Sequence, residues 1–152
     1  MADLSAAAWA AALAALERDG DDRALLAQVP YAQALGLRIR TTPQGRCYHM
    51  PYAEHLLGNP QRPSLHGGAL AGFLESAALL EVIVRHAQRR VPKPVDFSID
   101  YLRRATAAEC VARVEVVREG RRAVLVRADC HQGRPENLVA QARVHLLLEA
   151  PE

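Results

Sequence analysis

The alternation of apolar and polar positions divides the chain into a helical front, two strands, one long helix and a run of strands. Ser5 to Arg18 is alanine-rich, with Trp9, Leu13 and Leu16 at helical spacing. That pattern predicts a helix capped by Ser5 or Asp3. Gly20-Asp21-Asp22 breaks it, and Asp22 offers a cap for a second short helix to about Gln28, ended by Pro30. Leu35, Leu37 and Ile39 alternate with Gly36, Arg38 and Arg40, which predicts a strand over Leu35–Thr41. Thr42-Pro43-Gln44-Gly45 marks a turn, and Arg46 to Pro51 returns as a second strand. Tyr52 to Asn59 reads as a loop or short helical turn.

From His66 to about Gln88 the pattern predicts one long helix. Its small residues (Gly67, Gly68, Ala69, Ala71, Gly72, Ala77, Ala78) let a sheet wrap closely, while Leu70, Phe73, Leu74, Leu80 and Val84 supply bulk. Glu81 and Arg85 are spaced to pair on a solvent-facing rim. Val91-Pro92-Lys93-Pro94 ends the helix. Four strands are then expected. Val95, Phe97, Ile99 and Tyr101 share one face. Val111–Val117 and Ala123–Cys130 flank the turn Arg118-Glu119-Gly120-Arg121. Leu138–Leu148 sets Ala140, Ala142, Val144 and Leu146 against Gln141, Arg143 and His145. Two strands, a long helix and a four-stranded meander make an α+β fold. The expected fold is an antiparallel sheet of five to six strands around one long central helix. Residues 1–29 form an N-terminal helical extension, read as a peripheral helix pair, to a single domain over 30–149.

Composition narrows the function. The chain has 152 residues, 50% hydrophobic and 24% charged, as one ordinary globular domain has. A net charge of +2 gives no case for nucleic acid as a partner. Three cysteines without CxxC spacing indicate free thiols in a reducing compartment. The N-terminus lacks a basic signal-peptide region, and no uninterrupted apolar run reaches the ~18–20 residues that span a bilayer. The expectation is a cytoplasmic protein with no membrane partner. Six histidines without zinc-ligand spacing predict no metal site. No GxSxG elbow, P-loop or GxGxxG is present.

The stretch that invites chemistry is Leu65–Ser76. Gly67 and Gly68 open the long helix, where backbone N–H groups are unpaired and the dipole is positive. One reading is an oxyanion hole; the other is a tight loop-to-helix turn with His66 as a satisfied polar residue. Glu75 has only Gly68, Ala71, Gly72, Ala78, Leu79 and Val82 around it on the helix. Poor solvation there favours a carboxylate acting as a base; a rim glutamate, or one paired with a strand arginine, is the alternative. Gly67 and Glu75 are about 12 Å apart along the axis, so one glutamate does not reach a carbonyl held at its own Gly67. The spacing points to a site shared between subunits.

Leu65-His66-Gly67-Gly68, followed by Leu74-Glu75 and Ala77, resembles the hotdog-fold acyl-CoA thioesterases of the phenylacetate-pathway (PaaI-like) type. In that pattern an acidic residue stands eight positions after the first glycine. Val95 to Ala105, Arg118-Glu119-Gly120-Arg121 and Leu138 to Ala142 extend the resemblance, which covers about residues 30 to 149. It implies a homodimer, often paired into a homotetramer, with sheets joined edge to edge and active sites between subunits. Carried over, Glu75 is the nucleophile or general base, Gly67 N–H the oxyanion donor, and His66 places the loop and the thioester. Asn59 stands one residue earlier than the family's loop asparagine and would hold water or substrate. Gly68 borders the substrate, and Arg103, Arg104 and Arg121 are the candidates for the phosphates of coenzyme A, which is part of the substrate; no cofactor is implied. The acid is Glu rather than the more frequent Asp, and Pro94 precedes the strand where some members place a polar residue. The implied activity is hydrolysis of a small, medium-chain or aryl acyl-CoA. A non-catalytic acyl-CoA or acyl-carrier binding module is the second reading. A 3-hydroxyacyl-thioester dehydratase pairing His55 with Glu75 is the third.

Overall fold

The computed structural model describes residues 5–87 and 92–148. Asp3, Gln88, Val91 and Glu149 lie outside them. The front of the chain forms three helices: α1 (Ala6–Asp19), α2 (Arg23–Leu26) and α3 (Pro30–Ala34). Ser5 caps α1 by accepting the Ala8 N–H at 3.3 Å, and left-handed Gly20 ends it. Pro30 does more than end a helix. It opens α3 at the first position, where its missing N–H costs nothing, and this moves Leu35 from the expected strand to the helix end. Asp22 caps nothing. Its buried carboxylate accepts the Ile39 N–H at 2.8 Å and Arg38 Nε at 2.9 Å, tying the helices to the first strand.

That strand is β1 (Arg38–Thr42), paired with β2 (Gly45–Met50). A 3₁₀ turn at Glu54–Leu56 leads into a small ribbon, β3 (Leu57–Asn59) with β4 (Ser64–Leu65). Then come α4 (Gly67–His86), β5 (Lys93–Tyr101), β6 (Cys110–Glu119), β7 (Ala123–His131) and β8 (Leu138–Leu147). The six-stranded sheet runs β1-β2-β6-β7-β8-β5, antiparallel throughout. The last four strands are therefore not a simple meander. β6–β8 are, but β5 lies beyond β8, with Tyr101 opposite Ala140 and Lys93 opposite Leu147. Residues 102–109 carry the chain back across to β6. Buried Gln132 satisfies that crossing: its amide nitrogen donates to the Thr106 and Ala108 carbonyls at 3.0 and 3.1 Å, and its oxygen accepts the Thr106 N–H at 2.9 Å. A sheet of this order wrapped on one helix is the hotdog arrangement.

The inward rows of β7 and β8 (Val124, Val126, Ala128, Cys130; Ala140, Ala142, Val144, Leu146) are fully or almost fully buried. α4 lies along them with Phe73, Leu74, Ala77, Ala78, Leu80, Val82 and Ile83 at 0% exposure. Each of its large apolar side chains contributes about 1.5–3 kcal/mol. α4 is 20 residues long with mean hydropathy 1.6 over its most apolar stretch, which meets the length of a bilayer span, yet 67% of that stretch is buried inside the protein. The N-terminal helices are not peripheral. Trp9, Leu16, Leu25, Val29 and Ala32 join the same core cluster as Leu70 and Phe73. α3 reaches α4 through Tyr31, whose Cε1 occupies the space where a Cβ on Gly72 would stand. Only glycine lets the ring rest there. The three cysteines are free and buried.

Glu81 is not on a solvent-facing rim. β2 covers it, so it pairs with Arg46 (2.8 and 3.0 Å) and accepts the Tyr48 hydroxyl at 2.7 Å, while Arg85 turns to Glu119 at 3.3 Å. The bond to Glu81 raises the Arg46 pKa, and burial followed by the Glu81 charge pushes the Tyr48 hydroxyl well above the usual phenol range. Removing one partner of a buried pair strands the other charge. Arg46→Ala should therefore cost about 3 kcal/mol, read from urea unfolding, with Tyr48→Phe milder.

His131, at the end of β7, is buried. Burial first, then the charges of Arg113 and His49, hold its pKa below the ordinary 6.5, against an opposing pull from Glu136. The unfolded chain thus binds a proton more readily than the folded one as pH falls below about 6.5. The contribution is absent above that value and turns destabilising as pH drops towards the folded pKa. Urea midpoints should fall from pH 7 to pH 5, and less so in His131→Gln.

Candidate active site

The start of α4 is built by His66. Its backbone is extended (φ −65°, ψ 132°), and its Nδ1 accepts the Gly68 N–H at 2.9 Å. An accepting Nδ1 carries no proton, so the neutral ring bears its hydrogen on Nε2. The His66 carbonyl takes the Ala69 and Leu70 N–H groups at 3.0 and 3.2 Å. Of the first-turn donors, Gly67 N–H is the one without an acceptor among the described residues. Gly68 N–H is consumed by the cap, and Gly67 N–H stays free at the positive end of the helix.

That donor borders a cavity of about 430 Å³. Ser64, Leu65, Gly67 and Leu70 line one side and residues 101–105 the other. Arg103 and Arg104 give this second wall two cations, and Arg103 Nη1 also reaches Asn137 Oδ1 at 3.4 Å. The Tyr101 hydroxyl donates to the Gly67 carbonyl at 2.8 Å. Tyr101 and Ser64 were not among the site residues expected from sequence. The signal for Tyr101 was the inward row Phe97, Ile99, Tyr101, opposite Val144, Ala142 and Ala140, which ends level with the helix start.

The other expected residues stand apart from this cavity. Glu75 lies two turns along α4, half-buried, with no hydrogen-bond or ion-pair partner among the described residues. It does not line the cavity that Gly67 borders, so one chain does not bring the Glu75 carboxylate and the Gly67 N–H together. Asn59 is exposed, and its Oδ1 accepts the Gln61 and Arg62 N–H groups at 3.0 and 3.2 Å, bracing the loop before β4. Its amide nitrogen has no acceptor among the described residues. Arg121 sits in the β6–β7 turn, next to Glu119, which meets Arg85 and His86 at the far end of α4. Within one chain it is remote from Arg103 and Arg104. His55 Nε2 lies 3.1 Å from the Ala34 carbonyl and joins the 3₁₀ turn to α3. A chemical role for it in a dehydratase would require giving up that contact.

The site can therefore polarise a carbonyl with one N–H, attract an anion with two arginines, and present a carboxylate to a neighbouring molecule. A family model described as the acyl-CoA thioesterase N-terminal domain matches residues 58–146, from the ribbon through β8. A crystal structure of a Chromobacterium violaceum protein is similar at 30% identity and TM-score 0.72, covering 92% of this chain and 98% of its own. The Escherichia coli PaaI protein of the phenylacetic acid degradation operon shares the fold at 22% identity and TM-score 0.66, with 82% and 92% of the two chains covered. A phenylacetic acid degradation-related protein of Ralstonia eutropha does so at 23% and 0.68, covering 78% and 89%. Among curated proteins no sequence matches. Matched over more than half its length by that model and by a relative of nearly the same extent, the chain belongs to the acyl-CoA thioesterase family.

Proposed function

We propose that this protein hydrolyses small, medium-chain or aryl acyl-CoA thioesters as a homodimer, with each active site shared between two copies. The observation that carries the reading is the free Gly67 N–H beside an arginine-bearing cavity, with an unpaired carboxylate, Glu75, on the same helix but out of reach. β5 is an edge strand of the sheet. Pairing it with β5 of a second copy continues the sheet and covers the unpaired backbone groups that an edge exposes. In that arrangement the Glu75 of one copy serves the thioester held at the Gly67 of the other.

The thioester carbonyl oxygen accepts the Gly67 N–H, which stabilises the negative charge that develops as the carbonyl carbon becomes tetrahedral. Glu75 either takes a proton from the attacking water or attacks the carbonyl itself, giving an anhydride that water then cleaves. Both routes consume one water, break the carbon–sulfur bond and release the acid and the coenzyme A thiol. His66 holds the first turn of α4 in place, and the Asn59 amide holds water or substrate at the loop. Arg103 and Arg104 meet the phosphates of coenzyme A, and Arg121 of the neighbouring copy is a further contact.

A thiol-reactive dye assay over short-chain, medium-chain and aryl acyl-CoAs tests the reading. Thiol release by the unsubstituted chain is the expected outcome. Glu75→Gln should lose at least about 10²-fold in turnover, the scale of a lost acid–base group. Both should sediment at twice the 16.6 kDa chain mass with the same circular dichroism. Tight acyl-CoA binding without thiol release would make the protein a binding module instead. Arg103→Ala should raise KM for acyl-CoA by about fivefold, the scale of one exposed charge contact. KM for the matching acyl-pantetheine, which lacks the nucleotide phosphates, should not change.

A further inference from the structure

The direction of the Gly67 N–H is set by the residue least able to hold it, because glycine restricts its own φ and ψ less than any other residue. Two peptide planes flank Gly67. The one carrying its N–H is held through the His66 carbonyl, which accepts from Ala69 and Leu70 at 3.0 and 3.2 Å. The next plane, Gly67–Gly68, is held at both ends. Its N–H donates to His66 Nδ1 at 2.9 Å, and its carbonyl accepts the Tyr101 hydroxyl at 2.8 Å. The helix's own ladder and cap supply the other restraints on these planes; the Tyr101 bond comes from outside the helix, from β5, 34 residues away in sequence.

The glycine itself fits this restraint. A Cβ on Gly67 would lie 3.2 Å from Tyr101 Oη and 3.3 Å from Cζ, closer than an ordinary contact. The tyrosine approaches the backbone where a side chain would otherwise stand. Packing of the ring alone, in one chain or between two, would be met by phenylalanine. The hydroxyl is accounted for by the Gly67 carbonyl.

We propose that Tyr101 is a positioning residue for the oxyanion donor: its hydroxyl holds the Gly67–Gly68 peptide while the His66 carbonyl holds the preceding one, and with both planes held Gly67 cannot turn its N–H away from the cavity before a thioester arrives. The proposal rests on the hydrolase reading of the site. An oxyanion donor lowers the barrier in proportion to how little it must reorganise as charge develops. A restraint on its backbone therefore acts on the chemical step more than on ground-state binding.

The test is Tyr101→Phe, which keeps the ring and removes the hydroxyl. The turnover number should fall by about tenfold while KM stays within about twofold, the signature of an interaction made in the transition state. In ¹⁵N,¹³C-labelled protein the Gly67 carbonyl shift should move and the Gly68 amide should exchange faster with solvent. An unchanged turnover number in an active enzyme overturns the proposal, as do a Gly67 carbonyl shift and a Gly68 exchange rate equal to those of the unsubstituted protein. A rise in KM matching the loss of turnover also overturns it, since that marks a binding contact. The nuclear magnetic resonance readouts need no turnover. A chain that releases no thiol ends the hydrolase reading, while those two signals still decide whether Tyr101 restrains Gly67.

Discussion

The structure depends on how closely a 20-residue helix lies along a sheet. Close approach requires small side chains where the two meet, and the sheet supplies them in a graded way. The inward rung Ala112–Cys130–Ala140 lies nearest the helix start and is built from small residues. The rung Val116–Val126–Val144, further along, is wider. Leu70, Phe73, Leu74 and Ala77 pack in the cluster that holds Ala112, Cys130 and Ala140, and Ala78, Leu79 and Val82 in that of Val126 and Val144. These contacts seat the helix on the sheet and set the level at which the first turn emerges.

The site follows from that level. The rung Ala112–Cys130–Ala140 lies between Tyr48 on β2 and Tyr101 at the sheet edge. A tyrosine at the end of a row of small residues is free to lean over the helix start, and there it finds the Gly67 carbonyl. His66 acts from the opposite side through its ring nitrogen. The free N–H of Gly67 is left between two polar side chains from different elements. The Glu75 carboxylate sits two turns away and outside the cavity, and in the proposed dimer a second molecule completes the site.

Much of this was legible in the sequence because it is periodic or local. The β8 row from Ala140 to Leu146 and the glycine-opened helix have the expected faces, and the helix stops at His86, where Ala87 turns left-handed. The candidate donor Gly67 follows from adjacent residues alone. What was not legible depends on partners distant in sequence. β5 belongs beside β8 because residues 102–109 cross the sheet, held by Gln132, and no local pattern announces a crossing. Glu81 has a helical neighbour of opposite charge at Arg85, yet β2 covers it and brings Arg46, a stronger bidentate partner. Pro30 carries a double meaning, stop and start, and only packing onto Gly72 selects the second. Tyr101 read as one apolar position among several, since its hydroxyl acts 34 residues from its own place in the chain.

The pairing of β5 also bears on the order in which the molecule assembles. β6, β7 and β8 are joined by short turns, so their ladders close at little entropic cost. Among the described residues β5 pairs in the sheet with β8, and β6 and β7 lie between them in the chain. It therefore docks onto a surface that must already exist. Tyr101 and the arginine-bearing wall arrive with it, so a chain whose hairpins have formed but whose edge is open has the helix and the glutamate without a cavity to serve.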